Sequence, residues 1–295
     1  MNNTRATNVD ELQIILGKLF TPESKTHGSA FTPRASDVII APYSKCGTTW
    51  MQQIAHCLCT RGSMAFAEIT AVVPWIDAAY DLDLHLDADQ VATPRLFKSH
   101  LSWDAIPTGG RYICVLRHPF DALVSLYKFF DGWLMESGAI GFDDFARRLY
   151  LQRQPPDGYW HHLVSWCLQR DNPNVLLLCY EHLKVDFDNQ LPRIASFLDV
   201  HMDDELLSIV KEQSSLPFMR LHNKQFDDHL TRDKRNQAMG LPLFSNTSKV
   251  GQGASGAHRD YFSTELEQLM AERWRQEVTP RLDWKNYEEL LLVIP

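Results

Sequence analysis

The decapeptide APYSKCGTTW, Ala41 to Trp50, decides how this chain is read. The apolar, β-branched run DVIIAPY, Asp37 to Tyr43, leads into it and predicts a buried strand. After Gly47 the apolar positions Trp50, Ile54, Cys57 and Leu58 recur at helical spacing, so a helix starts there. The turn between them carries one lysine, one glycine and two threonines at a point where uncapped helix amides face outward. In an open α/β sheet, ligands sit beyond the carboxyl ends of the strands, so such a corner suits an anion. A satisfied turn bearing a surface lysine is the structural alternative. A kinase phosphate loop requires G-x-x-x-x-G-K-[ST]. Here Lys45 precedes Gly47 and no glycine opens the motif, which disfavours a magnesium-bound triphosphate.

Outward from this corner, strands and helices alternate. RLFKSH (Arg95 to His100), RYICVLR (Arg111 to Arg117) and NVLLLCY (Asn174 to Tyr180) read as further strands. PFDALVSLYKFF opens a helix with Pro119 in its first turn, and FDNQLPRIASFL gives a helical stripe strained by Pro192. The pattern predicts an α/β fold: a mostly parallel sheet covered by helices on both faces. No repeat or linker divides the 295 residues, so one domain is expected over 1–295. The polar stretch from about 218 to 255, with NKQFDDHLTRDKRNQ, reads as a long loop or lid. A helix near Thr264 to Gln276 and a tail close the chain.

Hydrophobic residues make up 44% and charged residues 22%, the composition of an ordinary globular protein. The net charge of -8 argues against general nucleic-acid binding, which needs a basic face, but leaves room for a small anionic ligand. The six cysteines form no C-x-x-C pair and sit mostly in apolar runs, so buried reduced thiols are expected. No signal core and no membrane-length apolar run is present, which reads as a cytoplasmic protein without a transmembrane segment.

The stretch PYSKCGTTW closely resembles the 5′-phosphosulfate loop of the cytosolic-type PAPS-dependent sulfotransferases, whose core is Pro-Lys-Ser-Gly-Thr-Thr-Trp. RLFKSH, RYICVLRHPFDALVSLYKFF and LLLCYEHL match that family's later segments in order, across most of the chain. The resemblance implies a P-loop-like sulfotransferase fold. It also implies transfer of a sulfuryl group from 3′-phosphoadenosine 5′-phosphosulfate (PAPS) to a hydroxyl, giving PAP, with no metal.

By that resemblance Lys45 stands beside the leaving oxygen, and Cys46, Gly47, Thr48 and Thr49 hold the 5′-phosphate, Cys46 through its backbone N–H. Trp50, Tyr180 and Ser214 serve the adenine side. Arg117, with Ser125 eight positions on, takes the 3′-phosphate. His100 is the general base and Lys98 assists on the sulfuryl oxygens. A histidine suits the base because its pKa lies near working pH. On residues alone His100 is one of twelve histidines and reads as a strand cap before it reads as a base. An ion pair with Asp121 is the structural alternative for Arg117. The adjacent His161 and His162 have no partner in the pattern and read as surface or packing residues.

Trp75, in AVVPWID, and Phe129 align with acceptor-pocket aromatics, and Phe66, Trp103 and Trp133 are candidates to complete an apolar cleft. An apolar cleft implies a small or lipid-like hydroxyl acceptor. The family's C-terminal Arg-Lys-Gly-x-x-Gly-x-Trp segment corresponds here to GQGASGAH. Gly253 and Gly256 are kept, Gly251 and Gln252 replace the basic pair, and His258 replaces the tryptophan. Lys249, Arg259 and Arg220 are candidates for the lost charge. That loss keeps open a non-catalytic PAP(S)-binding protein. The family's dimer signature is poorly kept in RDYFSTELEQ, which leaves a homodimer open.

Overall fold

The computed structural model describes residues 4–153, 156–243 and 261–295. Gly251, Gln252, Gly253, Gly256 and His258, with Lys249 and Arg259, lie outside the described residues. Four short strands form one sheet: β1 Val38–Ile40, β2 Leu96–Lys98, β3 Arg111–Leu116 and β4 Val175–Cys179. They lie in the order β2-β1-β3-β4 and every pairing is parallel. The parallel α/β expectation therefore holds. The strands are shorter than the apolar runs suggested. Past Ile40 the run meets Pro42, which has no N–H for a ladder.

Side chains along a strand alternate between faces, and both faces here are dry. Ile39, Tyr112, Cys114 and Leu116 point into one core, where the helix Pro119–Phe130 adds Ala122, Leu123 and Leu126. Val38, Ile40, Ile113 and Val115 point into the other, where the helix Thr48–Thr60 adds Met51, Ile54, Ala55 and Leu58. The connection after β1 leads to one side of the sheet. The connection after β3 leads to the other. The strand ends of β1 and β3 thus flank a switch point, where side chains and helix termini open onto a crevice.

Pro192 lies inside the continuous helix Phe187–Phe197. Its missing hydrogen bond is outweighed by burial of Leu191, Ile194 and Ala195, each nearly inaccessible. All six cysteines are unpaired, and five of them are buried. The polar stretch expected as a loop or lid is largely helical over its described part. It contains Leu216–Leu221 and His229–Met239. The latter buries Thr231, Arg232, Arg235 and Asn236, polar groups that apolar periodicity cannot flag. The tail is also helical, with Thr279–Leu282 and Tyr287–Val293 after Thr264–Glu277. Tyr287 donates to Glu181 at 2.8 Å, and the same carboxylate accepts the His118 N–H at 3.0 Å, so the tail braces the exits of β3 and β4. No helix among the described residues is long and apolar enough to cross a membrane.

Candidate active site

After β1 the chain makes a turn with two left-handed residues, Lys45 at φ 67° and Gly47 at φ 91°. A Cβ at Gly47 would stand 2.9 Å from the Tyr180 ring, so both conformation and space call for glycine. Gly47 caps the helix Thr48–Thr60 without any side-chain bond, which leaves the first helix amides for a ligand. Two imidazoles hold the turn. His162, buried behind it, donates Nε2–H to the Ala41 carbonyl at 3.1 Å, and His100 bonds the next carbonyl, Pro42, through Nδ1 at 2.7 Å. Burial pushes the His162 pKa down to about 3. His162 is thus a packing residue, as expected, and His161 bonds Asp104 at 2.9 Å on the surface side.

A carbonyl only accepts, so Nδ1 of His100 carries a proton, and in the neutral ring Nε2 is then the basic nitrogen. That is the tautomer a general base needs. Lys98, the last residue of β2, is 1% exposed. Its ammonium lies 3.8 Å from the centroid of the Trp75 ring and 4.0 Å from Asp228 Oδ1. The edge of Trp75 meets His100, with centroids 5.2 Å apart. Trp75 is oriented by its indole N–H, which donates to Asp77 Oδ2 at 2.9 Å, and Ser99 donates to the same oxygen at 2.9 Å. Burial pushes the Asp77 carboxyl up, against the pull of those hydrogen bonds.

Across the switch point, Arg117 leaves β3. Its Nη1 donates to the Lys45 carbonyl at 2.7 Å and its guanidinium lies 4.4 Å over the Tyr180 ring. These contacts replace the ion pair with Asp121 that spacing allowed. Arg117 is 8% exposed, and its Nε has no hydrogen-bond partner among the described residues. Thr48 Oγ1 is buried in the same condition. Both are donors awaiting an acceptor, since an unmade bond at a buried polar atom is costly. Trp50 stacks on Phe187 and donates to the Ser214 carbonyl at 2.9 Å. The Ser214 hydroxyl is already used on Val210, at 2.5 Å.

One cavity of about 1410 Å³ gathers these groups. Lys45, Gly47, Thr48, Thr49, Trp50, Lys98, His100, Arg117, Ser125, Tyr180, Ser214, Trp75 and Phe129 all line it. Lys45 Nζ lies 4.0 Å over the Phe129 ring, so the lysine-bearing turn touches the aromatic wall directly. Cys46 does not line it: its thiol is 1% exposed, with a pKa pushed up to about 12 by burial, and its N–H donates to the Tyr43 carbonyl at 3.1 Å. The amide assigned to ligand binding is thus spent closing the turn. Gly253 lies outside the described residues. Trp133 lines the cleft, whereas Trp103 packs on Tyr112 and Trp166 and Phe66 packs on His56 and Phe226. Arg220 does not line the cavity.

Asp77 and Asp228 line the cavity without having been singled out in the sequence. Asp77 was findable two positions after Trp75. Asp228 comes from the polar segment expected as a loop or lid, and takes a left-handed φ of 61°.

The sulfotransferase domain family matches residues 35–280, and the chain belongs to this family. Human sulfotransferase 1E1 is 26% identical over 263 residues, covering 84% of this chain and 86% of the relative. Human sulfotransferase 2A1 is 28% identical over 199 residues, covering 64% and 68%. The crystal structure of mouse sulfotransferase SULT7A1 complexed with PAP superposes with a TM-score of 0.66 at 19% identity, covering 90% of this chain and 92% of that one. The cytosolic-type resemblance read from the loop and its partner segments is therefore borne out.

Proposed function

We propose that this sulfotransferase uses PAPS and moves its sulfuryl group to a hydroxyl of a small or lipid-like acceptor, releasing PAP. The observation that carries the reading is that the Lys45 turn and the His100 imidazole open on one cavity, with His100 Nδ1 bonded to the Pro42 carbonyl, which supports Nε2 as the base. The buried donors Arg117 Nε and Thr48 Oγ1 and the uncapped helix amides suit an anionic nucleotide. The mouse relative's PAP complex supports the same donor.

PAPS would supply an activated sulfuryl group on a phosphate leaving group. Lys45 is placed to meet the charge that grows on the bridging oxygen, an interaction stronger in the transition state than before it. Gly47, Thr48 and Thr49 hold the 5′-phosphate by amide and hydroxyl. Trp50 and Tyr180 flank the adenine, and Ser214 contributes its position in the wall. Arg117 and Ser125 take the 3′-phosphate. His100 Nε2 accepts the acceptor's proton, and Lys98 faces the sulfuryl oxygens. Trp75 and Phe129 position the acceptor in an apolar cleft. Six unpaired thiols favour a reducing, cytoplasmic setting.

Incubation with sulfur-labelled PAPS and a panel of phenols, alcohols and lipid-like hydroxyls tests this. Transfer is expected, and His100→Ala should lower kcat about 10²–10⁴-fold with PAP affinity kept. Undiminished turnover in that variant overturns the base. Tight PAP binding with no transfer to any acceptor identifies a non-catalytic nucleotide-binding protein instead.

A further inference from the structure

A phosphate monoester carries about −1.5 to −2 charges at neutral pH. In the site just described Arg117 offers one positive charge to the 3′-phosphate, and part of its fork is spent on the Lys45 carbonyl. Ser125 is neutral. Asp121, one turn before Ser125 on the same helix, is buried and lines the cavity, adding a negative charge close by. The charge balance calls for a second cation.

Four lysines line the cavity besides Lys45 and Lys98: Lys25, Lys128, Lys184 and Lys211. Lys211 is paired with Asp188 at 2.7 Å. Lys25 belongs to the N-terminal helix Pro22–Ala30 and Lys184 to the short helix after β4. Lys128 alone shares a helix with Ser125. Positions 121, 125 and 128 fall on one face of Pro119–Phe130, and all three line the cavity. Lys128 stands about 4.5 Å further along the axis than Ser125, within reach of a flexible ammonium. Among the described residues it makes no ion pair, and its Nζ rests 4.9 Å from the centroid of the Tyr261 ring. Tyr261 and Phe262 pack on Phe142, and Phe262 stacks on Phe120 at 4.4 Å, so this helix is also where the chain after residue 260 is anchored.

We propose that Lys128 is a further donor-binding residue, supplying the second positive charge to the 3′-phosphate beside Arg117 and Ser125. The inference rests on the reading of this cavity as a PAPS site. The competing structural role is a lysine in the last helical turn, favoured by the helix dipole. That role affects helix stability and is blind to the nucleotide.

Titration calorimetry of wild type, Lys128→Met and Lys128→Arg with PAP and with 5′-AMP separates the two, because only PAP carries the 3′-phosphate. Lys128→Met is expected to weaken PAP about tenfold, to leave 5′-AMP within about twofold and to flatten the salt dependence of PAP binding. Lys128→Arg should recover most of the loss. Equal weakening of both nucleotides, or of neither, overturns the assignment of Lys128. A wild-type protein that does not prefer PAP over 5′-AMP overturns the PAPS reading itself, whatever Lys128 does.

Discussion

The wall proposed for the nucleotide is lined from the segments 43–49 and 117–125, while Leu16, Leu19, Phe20 and Trp133 line an apolar wall of the same cavity, the one open to an acceptor under that proposal. The first is built from main chain: a turn with two left-handed residues, a helix start, and carbonyls pinned by His162, His100 and Arg117. The second is held from behind by one polar helix. Arg235 donates to the carbonyls of Leu19 and Lys18, both at 2.9 Å, and lies 3.7 Å from Asp81. Asp81 in turn accepts the Thr21 N–H and hydroxyl, and Asn236 accepts the Trp133 indole N–H at 3.0 Å. A wall of backbone tolerates little change in shape. A wall of side chains braced by distant charges can be retuned residue by residue.

The sharpest way to break this contrast is Gly47→Ala. A left-handed alanine, with its Cβ against the Tyr180 ring, should cost about 2 kcal/mol and lower both the melting temperature and PAP affinity. A variant with unchanged melting and PAP binding would show that the turn is softer than its geometry implies.

Arg235→Ala tests the other wall. Losing two charge-assisted bonds to part-buried carbonyls should cost about 1.5 kcal/mol. Its kinetic mark should be a raised acceptor KM with PAP affinity unchanged. A loss of PAP affinity instead would mean that the two walls are not independently supported.

The smallest effect concerns His162. Its pKa falls from 6.5 to about 3 on folding, so the folded state binds fewer protons than the unfolded chain. The stability tied to this group is complete above 6.5. It drains at about 1.4 kcal/mol per pH unit below that, down to about 3. Urea unfolding at pH 7.5 and 5.5 should show a larger acid loss in wild type than in His162→Gln. Equal losses would remove His162 as the acid-sensitive prop behind the turn.

The same contrast explains what could be read beforehand. The nucleotide wall is local in sequence: strand, turn and helix start lie within residues 38–60, so β-branching, glycine placement and helical spacing expose it. The parallel sheet followed from four apolar runs alternating with helices. That the Cys46 amide bonds the Tyr43 carbonyl was not legible, because this depends on how tightly the turn closes. The helix His229–Met239 was missed because its buried face is polar. Arg235 and Asn236 read as solvent-facing until their partners near residues 19, 81 and 133 are known. Asp228 escaped for the same reason, since its partner Lys98 lies far away in the chain.

That last pair bears on what the protein ignores. With a carboxylate 4.0 Å from its ammonium, Lys98 is already partly neutralised inside a dry wall. A stray sulfate or phosphate drifting to it would face a like charge at close range and gain little by staying. Under the proposed function, an anion anchored at the Lys45 turn and beside Arg117 would meet that carboxylate with attraction of its own to offset it.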